Sequence, residues 1–250
     1  MTAMAGPACV RHPDRATGVR CTRCNRPACA DCLREAPVGY QCVDCVAAAD
    51  RSRPRAPAPW SRPAGRLVAV PALIAINVAV FAVTVVQAAS VAHNADSPLF
   101  EQWALQPSAV ASGAWWQLLT SGFLHIGPIH LAFNMIALWV IGRDLEQVLG
   151  TVRFLLVYLV SLLGGSLVVS AFENPASHTA GASGAVFGLM GGLAVVLMKL
   201  RLSPRPALTI ILLNVVISVA VPNISILGHL GGLVFGAAIT AAMLYLPQRR

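Results

Sequence analysis

Two sets of side chains in this 250-residue chain have types and spacings that can do chemistry. The first is Cys9-x2-His12, Cys21-x2-Cys24, Cys29-x2-Cys32 and Cys42-x2-Cys45, which together use all seven cysteines. A CxxC turn puts two sulfurs on one side of a tight loop, and two such turns complete a tetrahedral Zn²⁺ site. Four knuckles therefore suit two zinc ions, both closed and structural rather than catalytic. Only four residues, Asn25 to Ala28, separate the second and third knuckles. That gap strains a shared site and favours pairing first with third and second with fourth. A redox role for the CxxC pairs is the alternative, and four knuckles at metal spacing speak against it.

The second set lies in apolar sequence, where a polar side chain is costly enough to call for a functional reading. His125, His130 and Asn134 come from HIGPIHLAFNM, Ser183 from GASGAVFG and His229 from GHLGGLVFG. A helical rise of about 1.5 Å per residue puts Ser183 about 24 Å before Lys199 and His229 about 27 Å before Pro247. His130 falls about 20 Å before Arg143, with Asn134 one turn deeper. Three segments thus bring a hydroxyl, an imidazole and two further donors to similar depth. A serine hydroxyl is a poor nucleophile until a base accepts its proton, and His229 is the base at hand. Ser183 also opens a helix, whose unpaired N–H groups and positive dipole end favour developing negative charge. His130 and Asn134, four apart on one helix face, add donors for an oxyanion hole. No Asp or Glu falls at that depth to orient His229, so a Ser–His dyad is expected rather than a triad. The remaining candidates read as structural: His125 hydrogen-bonded near the preceding loop, Glu146 fixing backbone N–H groups in a turn, and Glu173 and His178 solvated.

Bringing Ser183 to His229 requires two helices to approach closely. Gly184, Gly188 and Gly192 recur every four residues, as do Gly228, Gly232 and Gly236, and such rows let backbones meet. Six apolar segments are expected as spans, at 67–89, 126–142, 150–172, 183–200, 206–221 and 227–246. Composition agrees: 56% of the chain is hydrophobic and 11% charged, against about 25% charged in soluble domains. A single soluble globule is excluded. Residues 1–66 hold 11 of the 18 Lys/Arg and 5 of the 10 Asp/Glu. All 18 Lys/Arg fall on 1–66, 143–149, 200–205 and the tail, or at the adjoining span ends Arg153 and Lys199. Segments 90–125, 173–182 and 222–226 hold none, which predicts an N-in, C-in topology. The opening residues MTAMAGPACVRHPDR lack the positive head and apolar stretch of a secretory signal, in keeping with a cytoplasmic amino terminus. The net charge of +8 therefore reports orientation in a membrane. With two zinc ions on seven thiolates it falls to about +5, and nucleic acid is not an expected partner. Residues 90–125 carry Leu99, Phe100, Trp103, Leu105, Trp115 and Trp116, and read as an element lying in the outer headgroup region. Residues 47–66 read as a Pro/Arg-rich linker between a 1–46 zinc module and a 67–250 membrane domain, its five arginines facing anionic membrane lipids. The expected fold is an all-α bundle of six transmembrane helices preceded by a small zinc-stapled domain. Its Ala, Arg and Pro richness fits a bacterial plasma membrane protein.

Over about residues 9–45 the cysteine pattern resembles the cross-braced zinc fingers of the B-box type, which implies a cytoplasmic protein partner. Residues 67–246 resemble the rhomboid intramembrane serine proteases. The motifs are Gly181-Ala-Ser183-Gly184 with Gly188, Gly228-His229 with Gly232 and Gly236, His130-Leu-x-x-Asn134, and Gly142-x3-Glu146-x3-Gly150. Any one alone is weak; all four in order across six spans are specific. The resemblance implies a rhomboid bundle of six helices around a water-filled site that opens outward. It assigns Ser183 as nucleophile, His229 as general base, and His130, Asn134 and the Ser183 N–H as oxyanion stabilisers, with no metal in bond cleavage. It also implies transmembrane protein substrates of a single span, cut near the outer face. Residues 90–125 become a membrane-embedded first loop, with Trp116-Gln117 where Trp-Arg is usual. Phe187 stands where many bacterial relatives stack a tyrosine under the catalytic histidine. The alternative from another class is a non-proteolytic rhomboid-like scaffold that binds transmembrane helices.

Overall fold

The computed structural model describes residues 6–52, 67–221 and 224–246, in two compact units that divide within 53–66. In the first unit β1 (Ala8–Cys9) pairs antiparallel with β2 (His12–Ala16). A second ribbon pairs β3 (Leu33–Glu35) with β4 (Tyr40–Cys42), Arg34 opposite Gln41. Helix α1 (Val43–Ser52) follows directly and takes up the first six residues of the expected linker. Ala-rich sequence without Gly or Pro favours helix there over an extended spacer. The rest of that linker lies outside the described residues. The buried side chains of this unit are Cys9, Cys21, Cys29, Cys32, Cys42 and Ala28. A core of sulfurs and one methyl group cannot hold so small a unit, which calls for a cross-link or a metal.

The second unit opens with α2 (Ala69–Ala88) and continues through three short helices, α3 (Pro98–Trp103), α4 (Pro107–Ala111) and α5 (Gln117–Thr120). Five long helices follow: α6 (Gly127–Leu149), α7 (Thr151–Phe172), α8 (Ser183–Lys199), α9 (Arg205–Ala220) and α10 (Ile226–Tyr245). Each expected span is a helix and agrees within two residues at its ends, except at the end of the second. There the expected 143–149 turn is the last two turns of α6. Leu145 and Leu149 are buried, which rewards continuing the helix, and the chain turns instead at Gly150 with φ +80°. By length and composition α2, α7 and α10 can each cross a membrane; α6 and Gln117–Phe123, bent by 95° at the break between them, pass the same test only when taken together, as a broken span or a re-entrant loop. Helices α8 and α9 are shorter and apolar.

Glu146 is buried in α6 and stabilises the start of α2, as its structural reading expected. Its carboxylate accepts the N–H groups of Val68 (3.0 Å), Ala69 (2.9 Å) and Val70 (2.9 Å) and the Thr151 hydroxyl (2.9 Å). These are the orphan donors of α2, which has no capping side chain of its own. Asn94 fastens the first loop in the same way. Its Nδ2 donates to Thr84 Oγ1 (2.9 Å) and the His125 carbonyl (2.7 Å), and its Oδ1 accepts the Gly127 N–H (2.8 Å). Leu105 and Thr179 exchange two backbone hydrogen bonds of 2.9 Å, and the Gly181 N–H donates to the Ser121 carbonyl (2.9 Å). The segment leading into α8 is thus tied to the first loop.

Helix α8 is apolar all round and buried along most of its length, with α6, α7, α9 and α10 packed about it. Apolar side chains point away from the bundle as well, among them Phe133, Leu212, Val219 and Val234. Such a surface needs lipid rather than water around it. The tightest approach is between α8 and α10. A Cβ added at Gly232 would lie 2.0 Å from the Gly184 carbonyl oxygen, and one at Gly236 2.3 Å from that of Gly188. Backbone meets backbone there with no side chain between. The two helices run in the same direction: Ser183 and His229 meet near their starts, and Lys199 lies over the Tyr245 ring (4.2 Å) at their ends. Helix α9 makes the return between them.

Gly232→Ala must push two backbones apart and is expected to destabilise the bundle by about 1–3 kcal/mol. Gly184→Ala, whose added carbon would sit 3.2 Å from the Gly228 carbonyl, is expected to cost less. Unfolding titrations in mild detergent micelles check the order.

Candidate active site and metal centres

Ser183 is the first residue of α8, and His229 lies in the first turn of α10. The His229 Nε2 is 2.7 Å from Ser183 Oγ, a full hydrogen bond between the expected nucleophile and base. Phe187, one turn beyond Ser183, stacks on the His229 ring at 4.2 Å between centroids and 14° between planes. The stack holds the imidazole face while leaving both nitrogens free to bond. Helix α8 has 17 residues and is about 25 Å long, shorter than a hydrocarbon layer of roughly 30 Å.

His130 stands on the other side of the serine. Its Nδ1 accepts the Ile126 N–H (3.2 Å), and a backbone N–H can only donate. A neutral ring therefore keeps its proton on Nε2. That edge of the ring lies against Gly181, where a Cβ would come to 2.8 Å from Cε1, 3.0 Å from Nε2 and 3.5 Å from Ser183 Oγ. Gly181 also has φ +136°, so both space and backbone conformation call for glycine. Asn134 is buried one turn along α6 and donates one amide hydrogen to the His130 carbonyl (3.0 Å). Its second amide hydrogen is left to serve as a donor. The geometry brings Ser183, His229 and His130 together around Gly181, with Asn134 following on α6.

Two side chains depart from their sequence reading. His125 is buried with its ring 5.1 Å from that of His130, and it is its carbonyl that bonds to the first loop, through Asn94. Glu173, expected to be solvated, is half-buried and accepts from the hydroxyls of Ser225 and Thr179 (3.3 Å to Thr179). Ser225 in turn is the N-cap of α10 and accepts the Gly228 N–H (3.0 Å). Glu173 thus links the end of α7, the segment before Ser183 and the start of the helix that carries His229. His178 is exposed as expected. Ser218 of α9 escapes the sequence reading altogether, yet its Oγ lies 2.7 Å from His229 Nδ1. The only signal for it is a polar pair, Asn214 and Ser218, one turn apart on an apolar helix.

In the first unit Cys9, His12, Cys29 and Cys32 gather in one cluster, and Cys21, Cys24, Cys42 and Cys45 in another. This is the interleaved pairing, and the donor atoms of each cluster lie within 4.8 Å of one another. His12 Nδ1 is 3.3 Å from Cys32 Sγ, 3.4 Å from Cys29 Sγ and 3.9 Å from Cys9 Sγ. The Cys24 and Cys42 sulfurs are 3.7 Å apart. A tetrahedron with Zn–S near 2.3 Å and Zn–N near 2.0 Å has edges of about 3.8 and 3.5 Å, so the spacing fits. A disulfide would need about 2.05 Å, and all seven cysteines are free. Electrostatics point the same way. The Cys29 N–H, with further backbone donors, holds the Cys9 thiol down to about 6. Burial opposes ionisation of Cys21, but the N–H groups of Cys42, Cys24 and Arg23 outweigh it and bring that thiol to about 6. Burial and the neighbouring sulfurs push Cys32 up to about 11, while hydrogen bonds to Cys24 and Cys42 take Cys45 to about 12. One thiolate in each cluster is easy and the last is hard, a conflict that a divalent cation removes.

The Rhomboid domain family matches residues 112–246, more than half of the chain and the part that holds Ser183, His229, His130 and Asn134. The chain is 43% identical over 150 residues to the rhomboid protease GluP of Bacillus subtilis strain 168, covering 58% of this chain and 29% of that protein. With the putative rhomboid protease YdcA of the same strain it shares 36% identity over 146 residues, 56% of this chain and 73% of that one. RHOMBOID-like protein 1 of Arabidopsis thaliana is 33% identical over 210 residues, 72% of this chain and 54% of that protein. The chain therefore spans about a third of the length of GluP and about half that of RHOMBOID-like protein 1. The cysteine clusters lie outside the family match. Glycine rows, buried polar residues and apolar helices converge on one conclusion: this chain belongs to the rhomboid family.

Proposed function

We propose that the chain is an intramembrane serine endopeptidase, cleaving single-span membrane proteins within or near the outer end of their transmembrane segment through a Ser183–His229 dyad. The 2.7 Å contact between Ser183 Oγ and His229 Nε2, inside an apolar bundle, is the observation that carries this reading. Ser183 Oγ attacks the scissile carbonyl carbon while its proton passes to His229 Nε2. The resulting oxyanion meets the Ser183 N–H at the start of α8, the His130 Nε2–H and the free Asn134 amide hydrogen. Collapse breaks the C–N bond, and the leaving amine takes the proton from His229. Water then attacks the acyl-enzyme, giving its proton to His229, and Ser183 is restored. Similarity to proteins named rhomboid proteases supports the same chemistry.

Six spans with both termini inside follow from the distribution of Lys and Arg, and the common direction of α8 and α10 supports the alternation. That orientation opens the Ser183 end toward the outer face, where it meets substrate helices and lipid. The amino-terminal unit we read as a cytoplasmic zinc module of the B-box kind that docks a protein partner. Cys9, His12, Cys29 and Cys32 would hold one zinc ion, and Cys21, Cys24, Cys42 and Cys45 the other. Four protein ligands close each site, so zinc there supplies cross-links in place of an apolar core.

Ser183→Ala and His229→Ala are expected to lower cleavage of a reporter transmembrane substrate in proteoliposomes by at least about 10³-fold. His130→Ala is expected to cost about 10²-fold through kcat. Cleavage that survives in purified Ser183→Ala protein contradicts the reading, and reporter binding without cleavage by the unaltered chain marks a scaffold instead. The two clusters are expected to give two zinc ions per purified chain, read by elemental analysis, and Cys24→Ser is expected to leave one. Loss of residues 1–50 is expected to alter the interaction profile in cells while the reporter is still cut.

A further inference from the structure

We propose that Ser218 is a positioning residue that holds His229 in the tautomer able to deprotonate Ser183, an inference that rests on the dyad just described. Ser218 lies near the end of α9 and is 5% exposed; His229 is 8% exposed. Two hydroxyls flank the imidazole, Ser183 Oγ at 2.7 Å from Nε2 and Ser218 Oγ at 2.7 Å from Nδ1. Ser218 Oγ is also 2.7 Å from the Asn214 carbonyl oxygen, one turn back in its own helix. A hydroxyl has one proton to give, and a carbonyl can only accept. If Ser218 donates to Asn214, its oxygen accepts from His229 Nδ1–H, and Nε2 is left as the acceptor for the Ser183 proton. All three contacts are then hydrogen bonds. In the other tautomer Ser218 would have to donate to Nδ1, the Asn214 contact would lose its proton, and Nε2–H would point at Ser183 as a donor. That arrangement satisfies two contacts of three and leaves the base blocked. Buried polar groups settle into the fully bonded arrangement.

The consequence is a neutral orienting group where a soluble triad uses a carboxylate. A buried carboxylate would be costly at this depth in a bilayer. A hydroxyl whose proton rests on a helix carbonyl presents its oxygen to the imidazole without adding charge. As His229 takes the Ser183 proton, the Nδ1–H bond to Ser218 strengthens, and the bond to Asn214 with it. Phe187 fixes the plane of the ring and Ser218 its edge. Three helices thus define one imidazole: α10 carries it, α8 stacks on it, and α9 selects its tautomer.

The test is solid-state NMR of ¹⁵N-histidine-labelled protein in proteoliposomes, paired with cleavage kinetics. In the unaltered chain His229 is expected as the Nδ1–H tautomer. Ser218→Ala is expected to populate the Nε2–H form and to lower kcat about tenfold with KM unchanged. Ser218→Thr keeps the hydroxyl over the Asn214 carbonyl and is expected to retain both the tautomer and kcat within about threefold. A lower kcat with the tautomer unchanged in Ser218→Ala would assign the loss to α9 packing and overturn the proposal, as would unaltered kcat and tautomer. Ser183→Ala is assayed in parallel. Cleavage that survives in that variant removes the dyad itself, whereas an inactive Ser183→Ala beside an indifferent Ser218→Ala removes only the role of Ser218.

Discussion

The membrane unit depends on one close approach, that of the α8 backbone to the α10 backbone. Serine is the shortest side chain that carries a hydroxyl, so the base must be delivered to it by the helix that bears it. At Gly232 and Gly236 an added carbon would fall within 2.3 Å of a carbonyl oxygen of α8. The same glycines keep the two helices in register, and the register puts Ser183 Oγ and His229 Nε2 at 2.7 Å. In lipid the hydrophobic effect does not press helices together, so packing at small residues and hydrogen bonds between helices must do so. The glycine rows are therefore the source of the Ser183–His229 geometry, and the Phe187 stack and the Ser218 contact refine it.

Polar side chains in this bundle follow a second rule. Three of those that the apolar setting makes costly bond across to another element. Glu146 of α6 satisfies the start of α2; Asn94 joins the end of α2 to the start of α6; Glu173 joins the end of α7 to the cap of α10. These bonds lie at helix ends, where backbone groups lack partners. They hold the ends while the glycine rows hold the middle. His130 sits where the two devices meet, its Nδ1 bonded to the chain entering α6 and its other edge against Gly181. The first unit meets the same problem by other means: where the second has helices to pack, it has four knuckles whose eight donor atoms gather into two clusters that could hold metal ions.

Much of this was legible in the residues. Apolar length and the placement of Lys and Arg located the helices, and glycines every four residues located the close contact. The knuckle spacing pointed to the two Cys/His clusters, and the short gap from Asn25 to Ala28 favoured their interleaving. What remained hidden was of one kind. Arg143, Asp144 and Glu146 looked like a turn because charge in an apolar chain resembles a boundary, yet Leu145 and Leu149 on the inner face carry the helix on. Glu173 looked solvated because its partners Thr179 and Ser225 come from the next loop and from the far side of two helices. Ser218 has no motif, and only the fold shows that α9 passes beside Nδ1 of His229. Local pattern reveals elements and short-range chemistry; it does not reveal a hydrogen bond whose two ends are brought together by a third helix.

The central claim is that the glycine contact turns Ser183 into a nucleophile by seating His229 against it. The most direct measurement is covalent labelling of the unaltered chain in proteoliposomes with a fluorophosphonate probe, followed by mass-spectrometric mapping of the adduct. A single phosphonyl adduct on the Ser183 peptide, lost in His229→Ala protein that still folds, is the result the geometry predicts. An adduct on another serine, or labelling of Ser183 that persists without His229, would contradict it.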